Sequence, residues 1–188
     1  MFGWLVQKRL AAFEKAFDYD MEYVRDIYSA SPRAFSKFSK IFGLSEYRED
    51  VPLTAWFAAQ IAATLAEDCG PCTQLVVSMA ERRGVRTGLL RAIVAGDEAA
   101  MGEDAGLGWR FARAALARDI AESDRLREEI VDRWGRRGLV SLALTIASSR
   151  VYPAVKYALG HGRACVRVKV GGDEMAVHSK ARAAGSGR

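Results

Sequence analysis

Two of the three cysteines in this chain lie three positions apart, in the stretch Cys69-Gly70-Pro71-Cys72. Two thiols at this spacing can close a disulfide or contribute ligands to a metal site. Three cysteines are too few and too irregularly placed for the disulfide framework of a small secreted protein. The pair therefore predicts a protein of a reducing compartment, with redox or metal chemistry at Cys69 and Cys72.

The same four letters form the active site of thioredoxins, but the surrounding sequence excludes that class. A thioredoxin places the motif after a core strand, whereas residues 53–66 here are Ala-rich and apolar on nearly every face, which predicts a buried helix. A thioredoxin also needs a later cis-proline beside the dithiol. The only proline after Pro71 is Pro153, within a second predicted helix.

The motif is predicted to open a helix. Asp68 is the expected N-cap, Pro71 suits the first turn, and Gly84 is the expected C-cap. Free N–H groups at a helix N-terminus stabilise a thiolate and lower the pKa of its thiol. Asp68 and Glu67 oppose this effect, because nearby carboxylates disfavour a further negative charge.

The remaining pattern is helical, so the fold class is predicted to be all-α. Residues 165–170 alternate as a short strand would, with no evident partner. An aromatic stripe, Phe35, Phe38 and Phe42, is assigned to the core or a subunit contact rather than to a ligand pocket, and so are Trp56 and Tyr152. The other predicted helices cover 2–17, 19–30, 33–42, a short segment from Thr87 (as its cap) to Gly96, 106–119, 122–134, and 138–159 with a kink at Pro153.

Charge and hydropathy narrow the functional class. The chain carries a net charge of +5, of which residues 163–188 hold +4, so the body is nearly neutral and nucleic acid is an unlikely partner. The N-terminus lacks the order of charged and apolar residues of a signal peptide. Residues 53–66 are too short to span a membrane. We expect a cytoplasmic protein that does not bind membranes.

The sequence around the two cysteines resembles that of the carboxymuconolactone decarboxylase and alkylhydroperoxidase D-like superfamily. The resemblance covers about residues 30–160 and rests on the apolar helix before Cys69 and Cys72, then Gly84-Val85, a short helix and Gly96-Asp97. It implies an alkylhydroperoxidase D-like helical bundle with the dithiol at a helix N-terminus. The expected organisation is a single all-α domain, 1–164, with N-terminal helices in 1–50, a family core in 51–164, and a partly disordered basic tail in 165–188.

The resemblance also implies a mechanism. Cys72 would attack a small hydroperoxide or disulfide, Cys69 would resolve the product as a disulfide, and an external dithiol would reduce the pair. The family's peroxidases have a histidine four residues after the second cysteine and a glutamate twelve residues before the first. Those positions hold Val76 and Phe57 here, so the usual proton relay is absent. The family usually forms dimers, trimers or hexamers, and we expect a homo-oligomer.

Two alternatives stay open at this point. In the first, the chain is a non-catalytic helical scaffold or binding protein of the same superfamily, with the two cysteines as small buried residues. In the second, Cys69, Cys72, His161 and Cys165 bind zinc, although the long gap between the two halves is unlike compact zinc modules. We expect an enzyme that uses the dithiol, with no metal and no cofactor.

Overall fold

A computed structural model describes residues 2–163 and 167–177 of the chain. The protein is mostly helical, which confirms the all-α prediction. The helices are α1 (Phe2–Phe17), α2 (Glu22–Ala30), α3 (Pro32–Phe38), α4 (Ile41–Glu46), α5 (Leu53–Ala66), α6 (Gly70–Arg82), α7 (Thr87–Ala95), α8 (Glu98–Ala117) and α9 (Ile120–Ala158), and the strands are β1 (Arg167–Val170) and β2 (Asp173–Ala176).

Helix α5 is the centre of the core, as its composition predicts. Eleven consecutive residues, from Ala55 to Leu65, are buried, and the helix packs against α6, α7, α8 and α9. Helix α8 crosses it so closely that a Cβ built at Gly108 would lie within 3.0 Å of three backbone atoms of Ala55. Only a glycine at this crossing allows the two backbones to approach to this distance.

The two longest helices are each interrupted by a glycine. In α8 the interruption is Gly102, and in α9 it is Gly135, which has φ 67° and ψ 179°. This region of backbone space is essentially restricted to glycine. The interruption at Gly135 agrees with the predicted end of a helix there, and the non-helical residue in α9 is Gly135 rather than Pro153.

The C-terminal strand has a partner that the sequence analysis did not find. Strands β1 and β2 form an antiparallel hairpin across Gly171 and Gly172, both with positive φ. Val168 and Val170 are buried against the helical core. Gln74 of α6 extends the pairing: its Oε1 accepts from Lys169 N at 2.7 Å and its Nε2 donates to Lys169 O at 3.0 Å.

Helices α1, α2 and α3 form a second, smaller core beside α6 and α9. Its buried members are Leu10, Tyr19, Tyr23 and Val24. Between α1 and α2 the chain turns through Asp18, which has φ 50°, and this turn directs the side chain of Tyr19 into the protein. The predicted helix 33–42 is divided at Ser39 and Lys40 into α3 and α4. Ser31 caps α3 by accepting a hydrogen bond from Ala34 N, and Pro32 begins the helix.

Within the described residues, α9 is long and apolar enough to cross a membrane by length and composition. Within its apolar stretch, 44% of the residues are buried inside the fold. Core helices of soluble proteins pass the same test, and the fold is compatible with a soluble protein.

Candidate active site

Cys69 and Cys72 form a disulfide at the start of α6, with their Cα atoms 5.3 Å apart. Both residues are buried, Cys69 fully and Cys72 with 4% exposure. The predicted N-cap is wrong by one residue: Cys69 caps the helix, because its sulfur accepts a hydrogen bond from Cys72 N at 3.3 Å. Asp68 adopts φ 51° and lies before the cap, outside the helix.

An apolar cavity of about 440 Å³ opens beside the disulfide, and Cys72 forms part of its wall. Its other walls come from α1–α4, α5, α6 and α9. The aromatic stripe and two further aromatic residues predicted to be core also line this cavity. They are Phe35, Phe38, Phe42, Trp56 and Tyr152. The core assignment is confirmed for Trp56, which belongs to the main core, and for Phe35 and Phe38, which pack against a second buried cluster.

The two positions where the resemblance expects a proton relay also line this cavity. Val76 lies one helical turn after Cys72 and is 8% exposed, and Phe57 on α5 is 1% exposed. Neither side chain can accept or donate a proton. A proton relay at this site must therefore use groups from elsewhere in the chain.

A tyrosine and a lysine that the sequence analysis did not single out lie next to Cys72. The hydroxyl of Tyr19 is 4.0 Å from the Cys72 sulfur, and Lys156 Nζ on α9 donates to the same hydroxyl at 3.3 Å. The ammonium group also lies over two rings, 4.5 Å from the centroid of Tyr19 and 5.0 Å from that of Tyr23. Such cation–π contacts partly replace the water that burial removes from a charged amine.

Burial shifts the pKa of both groups. Desolvation raises the pKa of Tyr19 to about 12, while a hydrogen bond with Tyr23 opposes that rise. Lys156 is only 3% exposed, and desolvation lowers its pKa below the usual 10.5. The positive charge of Arg163 lowers it further, whereas the carboxylate of Asp20 opposes both effects. The site thus favours neutral tyrosine and makes a neutral lysine more accessible.

The carboxylate that precedes the motif is partly neutralised. Glu67 forms an ion pair with Arg150 of α9. Tyr157 donates a hydrogen bond to the backbone oxygen of Asp68 at 2.9 Å. Both contacts tie the segment before Cys69 to α9, so the motif is held between α5, α6 and α9.

The opposite side of the Cys-Gly-Pro-Cys turn faces a more polar surface depression of about 580 Å³. Gly70 and Pro71 line it, together with Gln74 and residues of the hairpin. The disulfide therefore lies between an apolar cavity on the Cys72 side and a polar depression on the side of the intervening Gly-Pro.

Three of the four residues considered for zinc are described by the structure, and these three do not form a metal site. Cys69 and Cys72 are joined to each other, and His161 Nε2 lies 2.6 Å from Asp26 Oδ2. Cys165 lies outside the described residues. Within residues 2–163 and 167–177, no group of three or more histidine, cysteine or acidic side chains is placed to hold a metal ion.

Compared with protein-family models, with curated proteins and with solved structures, the chain matches none of them. The geometry around Cys69 and Cys72 is therefore what supports a function.

Proposed function

We propose that this chain is an alkylhydroperoxidase-like thiol–disulfide oxidoreductase that cycles Cys69 and Cys72 between dithiol and disulfide. The observation that carries this proposal is the disulfide at the start of α6, with Cys72 in the wall of an apolar cavity. A structural disulfide between residues three positions apart closes only a very short loop and contributes little to stability. A pair at a helix N-terminus is suited to redox exchange.

The order of elements supports membership of the alkylhydroperoxidase D-like superfamily. Helix α5 leads into the motif, α6 ends before Gly84, and the short helix α7 ends at Gly96. This is the order on which the resemblance of the sequence rests. Fold analogy alone does not establish chemistry, so the proposal depends on the two cysteines and their surroundings.

The proposed reaction consumes one hydroperoxide per cycle. The Cys72 thiolate attacks the terminal oxygen of the hydroperoxide, the O–O bond breaks, and the leaving alkoxide takes up a proton to give an alcohol. The sulfenic acid on Cys72 is then attacked by the Cys69 thiol; the S–S bond forms and water leaves. An external dithiol reduces the disulfide and is itself oxidised to a disulfide.

The two sides of the motif suit two different reactants. The aromatic and aliphatic walls beside Cys72 favour a small apolar hydroperoxide or disulfide. The polar depression at Gly70 and Pro71 is the side from which a reducing dithiol can approach. Opening of this turn is required for that second step, because Cys69 is fully buried.

Exposed apolar side chains support the expected homo-oligomer. Trp4 is 67% exposed and Ile120 is 69% exposed, and Leu44 and Val140 are also exposed. Subunit contacts cover such residues in many oligomers. Light scattering of the purified chain gives the number of subunits directly.

The proposal is tested by measuring turnover of cumene hydroperoxide and of an aromatic disulfide with dithiothreitol as reductant. Cys72→Ser and Cys69→Ser each should abolish turnover above the uncatalysed rate. Cys165→Ser is the matched control and should retain it. Turnover in the Cys72→Ser variant equal to that of the wild type contradicts the proposal.

A second candidate function is non-catalytic binding of an apolar ligand, and the cavity is the observation that favours it. A volume of about 440 Å³ is within the range of small-molecule sites. This function predicts that an apolar fluorescent dye binds equally well to the wild type and to the Cys69→Ser, Cys72→Ser double variant. If the dye binds both proteins equally and neither substrate is turned over, non-catalytic binding replaces the redox proposal.

A further inference from the structure

We propose that Tyr19 is a catalytic residue that exchanges the proton of Cys72, with Lys156 as the positioning residue behind it. The pair would act in place of the histidine and glutamate whose positions hold Val76 and Phe57. This inference rests on the proposed redox function of Cys69 and Cys72. Three polar groups from distant parts of the chain contact one another in series, sulfur to hydroxyl to amine.

The distances between the Cys72 sulfur, the Tyr19 hydroxyl and Lys156 Nζ allow proton exchange. The Tyr19 hydroxyl lies 4.0 Å from the Cys72 sulfur, at the long end for a hydrogen bond to sulfur, and 3.3 Å from Lys156 Nζ. The sulfur is held in a disulfide here, and catalytic hydrogen bonds are often long before the reacting complex forms. Of Tyr19 and Lys156, Tyr19 is the residue that contacts the Cys72 sulfur.

Among the other ionisable groups that line the cavity, Glu46 pairs with Arg83 at 4.0 Å, and the Tyr152 hydroxyl lies 3.5 Å from Ser45 Oγ. Gln60 and Thr64, which also line it, are neither acids nor bases. Gln60 Nε2 donates to Thr145 Oγ1 at 2.6 Å and to Ser45 O at 3.2 Å. Thr64 Oγ1 donates to Ile61 O at 3.1 Å. The Gln60 bonds join α5 to α9 and α4, and the Thr64 bond lies within α5, so both side chains are engaged in structural hydrogen bonds.

Lys156 occupies a costly position for a structural residue. The residue is 3% exposed, and its ammonium group lies over the rings of Tyr19 and Tyr23. Buried lysines are rare unless they are paired. An amine held against a tyrosine hydroxyl, with the reactive sulfur on the other side of that hydroxyl, is placed to store a proton that the sulfur releases.

The proposed step moves one proton in net terms, and every proton is accounted for. Starting from neutral Lys156, the Cys72 thiol gives its proton to the Tyr19 oxygen while the Tyr19 hydroxyl gives its own to Lys156 Nζ. The products are a Cys72 thiolate, a neutral Tyr19 and a charged Lys156. After the hydroperoxide O–O bond breaks, the same path returns the proton to the leaving alkoxide, which leaves as an alcohol.

Several charged or titratable groups bear on this equilibrium. Lys156 faces Tyr19 and Tyr23 from the second core, the carboxylate of Asp20 favours its charged form, and Arg163 disfavours it. From α6, the titratable group nearest to this cluster is Cys72, which contacts the Tyr19 hydroxyl. Burial lowers the pKa of Lys156, so the neutral amine that the first step requires is more accessible here than in an exposed lysine.

The test is the pH dependence of Cys72 alkylation in the reduced chain. Iodoacetamide is added between pH 5 and pH 10 in a Cys69→Ser background, and the modified Cys72 peptide is quantified by mass spectrometry, which separates it from Cys165. Tyr19→Phe should raise the midpoint pH and slow alkylation at pH 7 about 10-fold or more, in line with general-base effects. Lys156→Met should shift the midpoint in the same direction.

Matched controls and a second readout keep the test decisive. Tyr28→Phe and Lys37→Met, which lie away from Cys72, should keep the wild-type midpoint. A merely structural role would change the plateau rate at high pH and leave the midpoint in place. An unchanged midpoint in Tyr19→Phe overturns the inference, and an unchanged midpoint in Lys156→Met alone overturns the role of Lys156. Absence of peroxide turnover by the wild type would instead contradict the proposed function.

Discussion

The Cys69 sulfur accepts a hydrogen bond from the backbone N–H of Cys72 at 3.3 Å, so the first cysteine of the motif is also the N-cap of α6. The two cysteines therefore have different surroundings. Cys69 is associated with the free amides of the helix N-terminus, which stabilise a negative charge. Cys72 is associated with the cavity and with the Tyr19 hydroxyl.

The capping role predicts different stabilities for two substitutions of Cys69 in the reduced protein. Serine can accept the same hydrogen bond and alanine cannot, so Cys69→Ala should be less stable than Cys69→Ser by about 0.5–2 kcal/mol. Urea unfolding of both variants in the presence of a reductant measures the difference. Equal stability of the two variants would show that the sulfur does not cap α6.

The crossing of α5 and α8 predicts that Gly108→Ala destabilises the fold. The added Cβ would lie within 3.0 Å of the backbone of Ala55, which has no flexible end to move away. Overpacking of this kind typically costs about 1–3 kcal/mol. Gly88→Ala is the matched control: no atom lies within 4 Å of its added Cβ, so the variant should be as stable as the wild type or more so. Thermal or urea unfolding compares them.

The buried amine predicts a pH-dependent effect of Lys156→Met. The pKa of Lys156 is lowered in the folded chain from its usual 10.5, so the unfolded chain binds more protons between these two values. The free energy of unfolding of the wild type therefore rises with pH in that interval. Relative to the wild type, Lys156→Met should be most stable at neutral pH and lose this advantage as the pH approaches 10.5.

Urea unfolding of the wild type and Lys156→Met at several pH values from 7 to 10 measures this trend. Lys37→Met, an exposed substitution of the same type, should show no trend. A stability difference between Lys156→Met and the wild type that stays constant with pH would contradict the burial of a charged amine at this position.

The cavity predicts that its volume decides which hydroperoxides react. Val24 lines the cavity from α2 and is 4% exposed, so Val24→Phe should fill part of the space without touching Cys72. Its rate with cumene hydroperoxide should fall about 10-fold relative to its rate with hydrogen peroxide, in the range of pocket-size discrimination. Equal loss with both peroxides would show that the substrate does not enter here.

The helical fold and the cysteine pair could be predicted from local pattern. The apolar composition of 53–66 predicts the central helix, and the spacing of Cys69 and Cys72 predicts a redox or metal-binding pair, which the structure shows as a disulfide. Gly84 and Gly96 mark the ends of two helices because their positive φ is cheap for glycine. These features depend on residues that are close together in the sequence.

The features that could not be predicted depend on distant residues. Tyr19 and Lys156 meet across 137 positions, and neither has a local signal that separates it from other tyrosines and lysines. The second strand, Asp173–Ala176, carries two acidic residues and no alternating apolar pattern, so its pairing with β1 was not visible. Residue preference predicts Asp68 as the N-cap, but the left-handed backbone of Asp68 places Cys69 at the cap instead.

The central claim, that Cys69 and Cys72 form a redox pair, is tested most directly by a single-turnover experiment. The fully reduced chain is mixed with one equivalent of cumene hydroperoxide without a reductant, and thiols, alcohol product and disulfide-linked peptides are quantified. The proposed function predicts one hydroperoxide converted to alcohol per chain, the loss of two thiols, and a peptide linked through Cys69 and Cys72. Persistence of both thiols with the hydroperoxide unconsumed, or oxidation confined to Cys165, would contradict it.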